Sequence, residues 1–149
     1  MRIVTFVILL ISSVIGSASN SFVDSVPILN IANILLQESN EQSLRETCDY
    51  YNLRPSDQKI TLKGIPSDNL LVFERDDNDE KIVVKPETRD GRPVFQVFVL
   101  DLKNQGKVNH ILESLGYTRQ SSSHYSYGLR YCEYTREYIR FYIVGHEII

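Results

Sequence analysis

Residues 93–102, Pro-Val-Phe-Gln-Val-Phe-Val-Leu-Asp-Leu, constrain this chain more than any other stretch. Their β-branched and aromatic side chains suit a pleated strand. Alternation, the mark of a strand with one wet face, is nearly missing from them. Its loss predicts a strand covered on both faces or lying at the centre of a sheet. Such a strand needs neighbours on both edges and a layer above it, so the rest of the chain must supply them.

Several segments read as those neighbours. Asp90-Gly91, just upstream, is a strong hairpin turn. Residues 70–74 and 81–85 flank Asp76-Asp77-Asn78-Asp79, a hairpin tip, and residues 59–63 form a short strand ended by Gly64-Ile65-Pro66. Pro86 cannot donate to a ladder, so its strand ends there or lies at an edge. Residues 129–135 and 138–149 pair as a terminal hairpin around Thr135-Arg136-Glu137. The polar, Tyr-rich segment 121–128 reads as a loop.

The covering layer reads as helical. Ile28, Ile31, Ala32, Leu35 and Leu36 recur at helical spacing behind Ser25 and Pro27. Ser39 with Gln42 resembles a capping box, so a second helix starts near Asn40 and carries Leu44, Cys48 and Tyr51, unless the two are one bent helix. Val108, Ile111, Leu112 and Leu115 mark a third helix, closed by Gly116 and an apolar contact from Tyr117. The expected fold is α+β: one or two N-terminal helices plus a mainly antiparallel sheet of about five or six strands with one inserted helix.

Residues 1–19 read as a secretory signal peptide. Arg2 precedes an apolar stretch, residues 3–15, and Gly16-Ser17-Ala18-Ser19 supplies small side chains for cleavage. The run is too short for a bilayer span, which needs about 20 apolar residues. Residues 20–149 are then a single secreted, extracellular domain with no membrane span after the leader is removed. In an oxidising compartment Cys48 and Cys132 are expected to pair, closing a loop worth on the order of 4 kcal/mol. No Asn-x-Ser/Thr acceptor occurs.

Composition narrows the function. The chain is 42% apolar and 23% charged, which is globular. Its net charge of -3 becomes -4 without Arg2, fifteen basic residues against nineteen acidic, so no global field draws it to nucleic acid. Two cysteines exclude four-thiolate metal centres. His110, His124 and His146 lack the spacing of a zinc helix, and no Gly-x-Ser-x-Gly elbow or Gly-rich phosphate loop occurs. The acidic run 74–80 lacks the turn glycine and closing glutamate of a calcium loop and reads as a solvated tip. No metal or cofactor is expected.

What remains is a surface. On the last strand Tyr138, Arg140, Tyr142 and His146 point to one side and Ile139, Phe141 and Ile143 to the other. Arg130 and Tyr134, with Tyr127, are assigned from the partner strand to the first set. A Tyr/Arg face is the composition favoured at binding interfaces, so the leading expectation is a secreted binding protein whose partner is another extracellular protein or ligand. Two rivals rest on fold class and residue type. Secreted ribonucleases of the microbial type place Glu, Arg and His on an antiparallel sheet, and Glu133, Arg140 and His124 or His146 supply those types. Cystatin-like protease inhibitors also set a helix before such a sheet, but Gln96-Val97-Phe98-Val99-Leu100 lacks the glycine of their inhibitory hairpin.

Overall fold

The computed structural model describes residues 26–66, 69–76 and 79–144. The segment 1–19, read above as a signal peptide, and His146 lie outside the described residues. Among those described, three α-helices and eight strands form an α+β domain, with more strands than the five or six expected.

Helix α1 (Ile28–Leu35) buries Ile28, Leu29, Ile31, Ala32 and Leu35 and starts directly behind Pro27, whose fixed φ suits a helix entrance. Helix α2 (Glu41–Tyr50) is separate from it. Asn40 caps α2, its side-chain oxygen accepting from the Ser43 N–H at 2.9 Å. The cap is therefore Asn40 and Ser43, one residue on from the predicted Ser39–Gln42 box. A 3₁₀ turn (Gln105–Lys107) leads into α3 (Val108–Ser114). There the Tyr117 N–H returns to the Leu112 carbonyl and the Gly116 N–H to Glu113. Gly116 sits at φ +100°, a conformation that favours glycine, and a Cβ there would lie 3.2 Å from the exposed Tyr127 ring.

The strands are β1 (Leu53–Ser56), β2 (Leu71–Arg75), β3 (Lys81–Arg89), β4 (Arg92–Leu100), β5 (Thr118–Arg119), β6 (His124–Tyr127), β7 (Arg130–Tyr134) and β8 (Ile139–Ile143). They form one antiparallel sheet in the order β1-β2-β3-β4-β8-β7-β6-β5. Two four-stranded meanders thus meet where β4 pairs with β8. Strand β4 is interior and covered on both faces, as its sequence predicts: Phe95, Val97 and Val99 face the helices, and Phe98 is fully buried on the reverse. Asp90 and Gly91, at φ +53° and +76°, make the tight β3–β4 turn. Pro86 lies inside β3, but β2 pairs only as far as Val84, so its missing N–H is a loss on an unpaired side.

The helices cover one face of the sheet, where Phe73, Ile82, Val84, Val97, Cys132 and Phe141 join α1 and α2 in the main core. The reverse face has a second, smaller core. Val72, Val83 and Phe98 are roofed there by Leu62, with Ile60, Ile65 and Leu70 packed against them. The roof is the segment predicted as a strand at residues 59–63. It has a single isolated bridge, Leu62 to Ile65, and otherwise crosses the sheet rather than joining it.

The expected Cys48–Cys132 bridge is not made; both thiols are free and buried. Cys48 lies on α2 and Cys132 on β7, and both are packed in the helix-side core. Burial pushes the Cys48 thiol up to about 12. Burial also raises Cys132, so both are unreactive core side chains. Among the described residues no helix is long and apolar enough to cross a membrane.

Candidate functional site

Register decides which side chains share a face. Cys132 opposes Phe141, and both are buried in the helix-side core. Every second residue of β7 follows them, so Arg130 and Tyr134 point toward the helices, away from Tyr138, Arg140 and Tyr142. This corrects the sequence reading. Arg130 donates to the Gln37 side chain beyond α1 at 3.1 Å and lies over the Tyr127 ring, and Tyr134 donates to Gln105 at 2.8 Å. Tyr127 also turns to the helix side, edge-on to Tyr117. Cys132 held the clue: a buried cysteine between Arg130 and Tyr134 fixes the phase of all three.

Their places on the reverse face are taken by Tyr131, which sequence reasoning missed, and by Glu133, which it named only for the ribonuclease reading. Tyr131 opposes Tyr142, and the two rings stack at 5.8 Å and 21°. Glu133 opposes Arg140 on one side and His124 on the other. Three adjacent strands therefore set His124, Glu133 and Arg140 in one row. Glu133 Oε1 stands 3.5 Å from Arg140 Nη1, an ion pair rather than a tight hydrogen bond, and its Oε2 lies 3.7 Å from His124 Nε2. The hydroxyls of Ser121 and Ser123 hold the other His124 nitrogen at 3.3 and 3.0 Å.

Arg140 is the hub. Its guanidinium lies 4.4 Å over the Tyr142 ring and 6.0 Å from that of Phe98, and its Nε donates to Gln96 at 2.9 Å. Gln96 is only 7% exposed, and its own amide donates to Glu87 at 2.6 Å. Glu87 in turn pairs with Lys85 at 3.0 Å and Arg89 at 3.4 Å. Burial alone would raise the Glu87 carboxyl, but hydrogen bonds from Lys85 and Gln96, with the charges of Lys85 and Arg89, outweigh it and hold it below the ordinary range. Arg89 also donates to the Ile143 carbonyl and ties the β3–β4 hairpin to β8. A chain of polar contacts thus crosses from β3 to β6, partly shielded from water and walled by Tyr131 and Tyr142.

Tyr138 stands at the border of this face, edge-on to Phe98 at 5.1 Å. With Tyr134 it lines a small hollow beside Asp101 and Gln105 at the β7–β8 turn. In the acidic run Asp76 and Asp79 are exposed, as a solvated tip requires, whereas the flanking Arg75 and Glu80 side chains fold inward, 7% and 9% exposed, and Glu80 accepts from the Lys103 N–H at 2.9 Å. Gln96–Leu100, the segment compared with an inhibitory hairpin, lies in β4 and is largely buried. Among the described residues no three His, Cys, Asp or Glu side chains group as metal ligands. No protein-family model matches the chain, and neither a curated protein nor a solved structure matches it.

Proposed function

We propose that this is a small secreted binding protein, and that the reverse face around Tyr131, Tyr138, Arg140 and Tyr142 takes an extracellular protein partner. One observation carries the reading: the polar and aromatic side chains of β6–β8 are held in place by one another, on the face that the helices do not cover. Aromatic and arginine side chains fixed before binding lose little entropy on complex formation, which makes them effective interface anchors. The leader at residues 1–19 supports export.

Comparative capture from extracellular fluid tests it. The immobilised protein should deplete a partner that the Tyr131→Ser, Arg140→Gln, Tyr142→Ser triple variant leaves behind. Tyr50→Ser, at a tyrosine 55% exposed on α2, should capture normally. Equal capture by the folded triple variant refutes the site.

A second reading has its own observation, the in-register row His124–Glu133–Arg140. A base, an acid and a guanidinium so placed suit phosphodiester cleavage by the microbial-ribonuclease route. Cleavage of single-stranded RNA that is lost in both His124→Ala and Glu133→Gln would establish it. No cleavage above the double variant would dismiss it.

A further inference from the structure

The partner's chemistry can be narrowed, on the premise that the open face is the binding face. Arg140 is restrained from three directions. Gln96 accepts from Nε, Glu133 faces Nη1, and the Tyr142 ring lies under the guanidinium plane. Gln96 is itself locked by Glu87, so the arginine is placed by a buried amide rather than by solvent-exposed chains. Its Nη2 meets no partner among the described residues, and neither do the phenol oxygens of Tyr131 and Tyr142. The side chain is 25% exposed. A rigid guanidinium with its outer edge open presents parallel N–H groups, the geometry that matches two oxygens of one planar anion.

The charges nearby choose among anions. On the open face Lys85, Arg89 and Arg140 stand with Glu87 and Glu133, three cations to two carboxylates, although the protein as a whole is acidic. Glu87 and Glu133 nevertheless flank Arg140 through Gln96 and directly. A polyanionic backbone running over the face would meet both carboxylates at successive phosphates. A single carboxylate delivered by a side chain needs only the one guanidinium edge and no second anion site.

We propose that Arg140 anchors the interface by taking the carboxylate of an Asp or Glu side chain of the partner protein on its open edge, beside the stacked Tyr142 and Tyr131 rings. Losing that carboxylate leaves the guanidinium edge desolvated and unpaired, so the anchor governs the affinity of the whole contact.

Selection of random twelve-residue peptides on the full-length protein tests this without knowing the partner. Enriched peptides should share one acidic position, and changing it to the amide should weaken binding tenfold or more. Arg140→Lys, which keeps the charge but not the fork, should weaken it similarly. The peptide amide makes the test independent of how well that variant folds. Peptides that bind wild type, fail on the Tyr131→Ser, Tyr142→Ser variant, and share no acidic position would overturn the carboxylate anchor while keeping the face. Peptides that bind that double variant equally well, or no enrichment over Arg140→Lys, would overturn both. Displacement of bound peptides by a single-stranded RNA oligonucleotide, dependent on Arg140, would assign the fork to phosphate instead.

Discussion

On its reverse side the sheet is finished in two ways. Over β2, β3 and β4 that side carries Val72, Val83 and Phe98, and the excursion after β1 folds Ile60, Leu62 and Ile65 across them. Over β8, β7 and β6 the same side carries Tyr142, Arg140, Tyr131, Glu133 and His124, satisfied sideways by one another. Apolar surface on a sheet must be covered, and the roof covers it. Polar surface that pairs laterally needs no roof and stays available. The first region is held by burial and the second by lateral pairing, so the two should respond differently to the same kind of change.

Phe98→Ala, under the roof and fully buried, should cost about 3–5 kcal/mol and lower the urea midpoint sharply. If it costs no more than a change on the open side, the contrast between the regions fails. Leu62→Ala should cost about 2 kcal/mol, at the low end for a buried leucine because a crossing segment can settle into the gap. Its signature is a newly exposed apolar surface that binds a hydrophobic dye.

On the open side the effects are smaller. Glu87→Gln should cost about 1 kcal/mol near neutral pH. Because the folded-state carboxyl lies below the ordinary 4.5, its contribution is complete above that value and is lost as pH falls through the lower folded one. The variant should therefore show a flatter acid limb in a stability–pH curve, and an unchanged limb contradicts the network. Tyr131→Ser with Tyr142→Ser should cost about 0.5–1.5 kcal/mol for the lost ring pair while removing partner capture. The two cysteines, one on α2 and one on β7, should not react with a thiol reagent in the native protein and should react in full once it unfolds.

Much of the frame was legible from sequence. The unalternating run 93–102 became the doubly covered β4, the Asp90-Gly91 turn and Gly116 closed what they were expected to close, and the helical spacings marked α1, α2 and α3. The misses have physical causes. Strand β6 is His-Tyr-Ser-Tyr, with one buried side chain, so its apolar signal is too thin to separate it from loop; β5 is two residues long. Strand β1 contains Pro55, but it is an edge strand, where a missing donor is tolerated. Residues 59–63 alternate because Ile60 and Leu62 dip onto the sheet, not because they belong to it. On the candidate face Tyr138, Arg140 and Tyr142 were legible from alternation within one strand. Arg130 and Tyr134 were misplaced because the phase of β7 was taken from residue type rather than from Cys132.

The most direct test is hydroxyl-radical footprinting of the protein with and without the tightest peptide from the selection. Protection should fall on Tyr131, Tyr138 and Tyr142 and leave Ile60, Leu62 and Ile65 unchanged. Protection on the roof residues, or on Tyr127 and Tyr134 at the helix side, would contradict the assignment of binding to the open face.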